Sequence, residues 1–213
     1  MLFRSFARFR YDSRHAVIRR VQASGTGTAV EPDLPCGIAF EGTAHDFSIE
    51  DCVMRDFRMT RGDDHYWNGD GYSTELGNYG LRFLRCEAHD NTDGGFDIKS
   101  TGTFLDGCVA GGNSRNFRFW SDVEAYVITS LSPIHRGGIG DAAHVHVAAR
   151  SAPTVHIAKL IVKSDNPAPV LVIEGTGATI VIAAQDITVP PGTPLVVAPS
   201  GNQIVWQSGT PVI

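Results

Sequence analysis

Asp70, Ser73, Glu75, Asp93, Asp97, Lys99, Arg118 and Trp120 recur at related positions within fifty-odd residues of this chain. Carboxylates at this density bind cations or hold protons. Lysine and arginine neutralise an anionic ligand or, when desolvated, supply a base, and a flat indole stacks on a sugar ring. Whether these side chains meet depends on spacing. Cys86 to Cys108 is 22 residues, Asn91 to Asn113 is 22, Phe96 to Phe117 is 21 and Ile98 to Phe119 is 21. Self-similarity at that period, with strand-type alternation and glycine-bearing turns, predicts a solenoid of stacked β-coils.

With Phe96 and Ile98 taken as inward, the equivalent inward pairs are Ile38/Phe40, Tyr72/Thr74, Phe117/Phe119, Val145/Val147, Val170/Val172 and Leu195/Val197. Every member except Thr74 is apolar. Period-2 alternation then places Ala39/Glu41, Ser73/Glu75, Asp97/Lys99, Arg118/Trp120, His146/Ala148 and Leu171/Ile173 outside. Stacked strands lie about 4.8 Å apart, so Asp97 should sit beside Arg118 and Glu75 beside Lys99. The eight polar and aromatic residues then form one patch, with Asp70 and Asp93 in turns leading into adjacent strands. Ile38 to Tyr72 is 34 residues, so an insertion around RGDDHYWNGDG, which includes Trp67, bulges from that coil. Long loops on a rigid scaffold tend to carry function.

The chain reads as all-β, a single domain over residues 1–213. It has a basic first segment (1–30), coils with the polar patch (36–130) and apolar coils (143–213), eight or nine coils in all. Its 23 glycines and 11 prolines supply the turns, and 42% hydrophobic residues supply one continuous core. A net charge of −5 argues against a nucleic-acid partner. No run is long enough to span a membrane. Arginines interrupt Phe3 to Tyr11, so the basic start reads as a first coil or cap rather than a signal peptide.

Cys52, Cys86 and Cys108 each close the second strand of a coil, which predicts an internal column of free thiols with Thr129 or Ser130 next. No CxxC pair or metal-type His/Cys spacing suggests bridges or zinc. Asn91 and Asn113 read as a ladder of stacked turn amides. His144, His146 and His156 have no carboxylate nearby in sequence and read as surface or satisfied residues.

The strings NGDGY, NTDGGFD and NFRFW, within residues 64–120, resemble the motifs DGF, DDGFD and GFK of calcium-dependent polysaccharide lyases of the pectate-lyase superfamily. That resemblance implies a right-handed parallel β-helix, a secreted or periplasmic setting, and an acidic, uronate-containing polysaccharide as substrate. It places Asp70, Asp93 and Asp97 as calcium ligands and Arg118 at the position of the lysine base, with Lys99 as the alternative base. Glu75, Ser73 and Trp120 remain for substrate contacts. Two residues depart from the pattern: Gly94 stands for one calcium-binding aspartate and Arg118 for lysine. β-Elimination of a uronate glycoside requires neutralising the carboxylate, removing the C5 proton and stabilising the enolate. Calcium serves the first and last of these.

Other readings stay open. Asp97–Arg118 and Glu75–Lys99 also fit plain cross-strand ion pairs. Asn91-Thr92-Asp93-Gly94 matches one motif of the β-helix pectin hydrolases, but the next coil offers Asn113-Ser114-Arg115 where a further aspartate pair is needed. A non-catalytic adhesin, spike or carbohydrate-binding module is the third class. The apolar PVLVIEG, ATIVIAA and PLVVAPS segments favour it, and they also suggest a homo-oligomer through the last coils.

Overall fold

The computed structural model describes residues 5–29, 34–60, 68–136 and 140–211. Residues 61–67 of the expected insertion, Trp67 included, lie outside the described residues. The chain is all-β with parallel sheets, and among the described residues the one helical element is the 3-10 turn Ala149–Ser151. Among the described residues no helix is long and apolar enough to cross a membrane.

One sheet has eight strands, in spatial order Ser5–Phe9, Cys36–Phe40, Asp70–Ser73, Gly94–Ile98, Arg115–Phe119, Ala143–Ala148, Leu171–Glu174 and Val196–Val197. Spatial order equals chain order, and each neighbouring pair is parallel. The second sheet has twelve strands. Its early strands form two rows, one running His45–Glu50, Arg82–Leu84, Thr103–Asp106 and the other Val53–Arg55, Glu87–His89, Cys108–Gly111. Both rows join onto the single long strand Val123–Leu131. Beyond it stack Thr154–Lys163, Thr179–Thr188 and Gln203–Trp206.

The join has a local cause. In the early passes one left-handed residue separates the two rows: Asp51 at φ 53°, Arg85 at 51° and Gly107 at 64°. That conformation turns the chain through a corner and breaks the ladder. Only glycine adopts it without strain. The bidentate Arg85–Asp51 contact, 2.6 and 3.0 Å, ties two of these corners together. From Val123 onward the corner residue is gone, and β-branched runs such as VITSL and IAKLIV carry the strand straight through.

The core is the expected inward column. Ile38, Tyr72, Phe96, Phe117 and Val145 are register partners and are buried. Tyr72 and Phe96 stack at 4.7 Å between centroids, and Phe96 and Phe117 at 5.2 Å. Thr74, the polar member, is buried because its hydroxyl accepts the backbone N–H groups of Lys99 (2.8 Å) and Ser100 (3.0 Å).

Three expectations are corrected. In the late strands Val145 pairs with Leu171 and Val147 with Ile173, and Leu171 in turn pairs with Val196. Leu171 and Ile173 are therefore core residues, while Val172 faces outward beside His146 and Val197 is exposed. The step from Val145 is 26 residues rather than 25, and one extra residue flips every following side chain to the other face. The cysteine column also continues differently. Cys52, Cys86 and Cys108 are free, buried and successive, with Glu87 N–H donating to Cys52 O and Val109 N–H to Cys86 O. Cys108 then pairs with Ile128, not with Thr129 or Ser130, so the column passes from thiols to an aliphatic side chain. Finally, Asp70 does not lie in a turn but opens the strand Asp70–Ser73, paired with Cys36.

Candidate functional site

Four adjacent strands of the eight-stranded sheet set Ser73, Asp97, Arg118 and His146 in one outward row. Glu75, Lys99 and Trp120 form the next row, and the side chains of the two rows interlock. Lys99 Nζ lies 2.9 Å from Glu75 Oε1 and 3.4 Å from Asp97 Oδ2. Asp97 Oδ1 accepts the Trp120 indole N–H at 2.7 Å. The Trp120 ring carries the guanidinium carbons of Arg118 at 4.4 Å and Arg150 at 5.1 Å, a cation–π arrangement in which ring and guanidinium planes attract. Arg118 Nη1 reaches Asp93 Oδ2 at 3.4 Å, and Arg115 Nη1 donates to the other oxygen of Asp93. The result is an unbroken chain Glu75–Lys99–Asp97–Trp120–Arg118–Asp93–Arg115.

Outward here does not mean exposed. The side chains of Asp97 and Arg115 are 7% exposed, Asp93 11%, Arg118 16% and Lys99 18%. Glu75 and Arg150 form the solvent-facing ends. Ser73 is buried at the head of the row.

Burial sets the charge states. It pulls the Lys99 ammonium down, but Asp97 and Glu75 outweigh it and hold the group above its ordinary range, so Lys99 stays protonated. Asp70, wholly inaccessible, accepts the Gly94 N–H at 2.7 Å through Oδ1, while Oδ2 has no hydrogen-bond partner among the described residues. Burial, with Asp97 and Asp93 adding repulsion, pushes its carboxyl well up, so the neutral acid is favoured. Burial also pushes Asp93 up against the opposing pull of Arg115 and Arg118. His146 is lowered to about 3 by burial and by Arg118 and Arg115, and His144 to about 4 by burial. Both rings are uncharged at neutral pH.

The three aspartates expected to hold calcium are therefore close but engaged elsewhere. Both oxygens of Asp93 lie on arginines, both oxygens of Asp97 lie on Trp120 and Lys99, and one oxygen of Asp70 is spent on the backbone. Calcium takes six to eight oxygens, and among the described residues no group of three or more His, Cys, Asp or Glu side chains is placed to hold a metal. Gly94 tightens this further, since a Cβ there would stand 2.7 Å from Asp70 Oδ1. In this arrangement the three aspartates face cations, the indole N–H and a backbone N–H rather than one shared cation position. Lys99, Arg115 and Arg118 are the cations that these aspartates face.

Register brings Asp97 beside Arg118 and Glu75 beside Lys99, as the spacing predicts; of these only Glu75–Lys99 is a direct ion pair. The sequence reading missed Arg115, Arg150 and the buried state of His144 and His146. Arg115 had a signal: it follows Asp93 by 22 residues, the period of the cysteines and asparagines. The expectation that no carboxylate lies near the histidines is corrected. His146 Nε2 is 3.7 Å from Glu174, and His156 Nδ1 is 3.7 Å from Glu124, each joined by strand pairing across long sequence gaps. The amide ladder extends further than expected. Asn91 Nδ2 donates to Asn113 (2.9 Å), Asn113 Nδ2 to Asn116 (3.0 Å) and Asn116 Nδ2 to Ser130 Oγ (2.8 Å), which lies 2.7 Å from His144 Nδ1.

Comparison of the chain with protein-family models, with curated proteins and with solved structures finds no match.

Proposed function

We propose that the two large parallel sheets are faces of one right-handed parallel β-helix, and that the outward rows around Arg118 bind an acidic polysaccharide of pectate type. The observation that carries this reading is the Trp120 ring flanked by the guanidinium groups of Arg118 and Arg150. The two guanidinium groups held on the indole present N–H donors in a geometry that suits a uronate carboxylate. Arg150 is exposed and meets the ligand first, and Arg118 lies behind it. Glu75, at the exposed end of the row, is paired with Lys99, and Ser73 lies buried beside Asp97.

Binding without cleavage is the form the charge states favour. Elimination needs a base that is neutral part of the time. Lys99 is held protonated by Asp97 and Glu75, and arginine gives up its proton less readily than lysine. A lyase using Arg118 is the second reading, favoured by the largely buried position of Arg118 at the centre of the outward row. Calcium is not required in either reading, because fixed side-chain cations stand where its charge would act.

The test is a panel of acidic polysaccharides, with and without chelator, followed by titration calorimetry and by ultraviolet absorbance of the new double bond. Chelator-insensitive heat without absorbance supports the binding module. Absorbance identifies elimination, new reducing ends without absorbance identify hydrolysis, and no heat with any uronate polymer removes the reading.

A further inference from the structure

The twelve-stranded sheet carries a second groove, on a face that the acidic site does not use. We propose that it is a subsite for one ring of an uncharged sugar. Its floor follows from register. Along the strands Val123–Leu131, Thr154–Lys163 and Thr179–Thr188, the pairs Ala125↔Ile157 and Ile157↔Ile182 are inward, so Tyr126, Ala158 and Ala183 form the adjoining outward row. Gln207, whose N–H donates to Ile182 O, ends that row. One large side chain, two alanines and a long amide make a trough. At about 4.8 Å per strand its two walls stand roughly 14 Å apart.

The trough has a volume of about 180 Å³. Pockets for drug-sized ligands start near ~300 Å³, so this one takes a single ring rather than a long chain. Tyr126 is 60% exposed and presents a bare aromatic face, the surface on which the axial C–H groups of a pyranose stack. Glu124, two residues earlier on the same outward face, offers a carboxylate able to accept both hydroxyls of a vicinal diol. His156 Nδ1 lies 3.7 Å from that carboxylate. Gln207 donates and accepts from the opposite wall.

Charge selects the ligand. Among the described residues Glu124 is the one acidic side chain lining the trough, and Arg82 lies over the ring of Phe104, a lining residue, 4.7 Å from its centroid. A uronate carboxylate entering here meets the like charge of Glu124, with Arg82 already engaged on the Phe104 ring, whereas an uncharged hexose or pentose meets matched donors and acceptors. The opposite sheet, with Arg118 and Arg150 on Trp120, has the reverse preference. This inference does not depend on the acidic site being correct, because no residue is shared.

The experiment titrates the native protein, by calorimetry and by saturation-transfer NMR, with cello-, xylo- and galacto-oligosaccharides and with a uronate oligomer. The expected result is binding of at least one neutral series in the millimolar range, weakened tenfold or more by Tyr126→Ala and severalfold by Glu124→Gln. Arg118→Ala leaves neutral-sugar binding unchanged. No binding of any neutral series by the native protein overturns the proposal, as does equal affinity in Tyr126→Ala. Sedimentation of the native protein as a dimer that Tyr126→Ala makes monomeric also overturns it, since the trough would then be an interface between copies of this chain.

Discussion

The outward faces of the two sheets follow the same alternation and end in opposite physical states. Around Arg118 the outward residues are covered, and their charges are spent on one another: Lys99 on Asp97 and Glu75, Arg118 and Arg115 on Asp93. Around Tyr126 the outward residues are open, and the pair His156–Glu124 is separated by 3.7 Å with side chains 49% and 70% exposed. A buried ion pair is strongly missed when one partner is removed, because the other is left uncompensated, whereas an exposed pair is worth little. Alternation therefore tells which way a side chain points, and covering decides what its charge is worth.

The largest break in that comparison is Arg115→Ala. It leaves Asp93 buried with only the longer Arg118 contact, and a loss of about 3–5 kcal/mol in urea unfolding is expected. The matched change Glu124→Ala should stay within about 0.5 kcal/mol. Equal costs at the two sites would erase the distinction between the faces.

Acid should act next. His144 and His146 have folded pKa values of about 4 and about 3, below the unfolded value of about 6.5. The folded state thus binds fewer protons, and the stability they contribute is full above pH 6.5 and is lost as pH falls toward 4 and 3. Between pH 7 and pH 5 each ring costs on the order of 2 kcal/mol. His146→Asn should flatten the pH profile of urea unfolding by about that amount.

Asp70 titrates with the opposite sign. Its folded pKa is raised, so its stabilising contribution is present below the unfolded carboxylate range and declines as pH rises. Asp70→Asn, which keeps the shape without the ionisable group, should stabilise the protein at pH 7, with the gain shrinking toward pH 4 in the same urea assay. The smallest effect belongs to Tyr126→Ala, expected to change stability by less than about 0.5 kcal/mol in the same unfolding assay.

Much of the architecture was legible where alternation was clean. Ile38, Tyr72, Phe96, Phe117 and Val145 were placed correctly because polar and apolar residues alternate strictly around them. The slip at Leu171 arose where they do not: Val170, Leu171, Val172 and Ile173 are all apolar, so parity carries no signal and the loop length fixes the register. At the site, Glu75 with Lys99 could be read from strand pairing alone. Arg115 could not be placed by alternation, since it falls in the inward phase of its strand and is accommodated opposite Gly94, which has no side chain. The bond from Trp120 to Asp97 depends on side-chain torsions, and the burial of the row depends on how its long side chains fold over one another. Neither leaves a local pattern.

The account rests most heavily on the claim that fixed cations at Trp120, without calcium, recognise a uronate polymer. Calorimetric titration of polygalacturonate into the native protein and into Arg118→Ala, with chelator present throughout, tests it directly. The account predicts binding by the native protein, at least tenfold weaker in Arg118→Ala, and unchanged in Tyr126→Ala. Binding that disappears on chelation, or that survives Arg118→Ala at full strength, would contradict it.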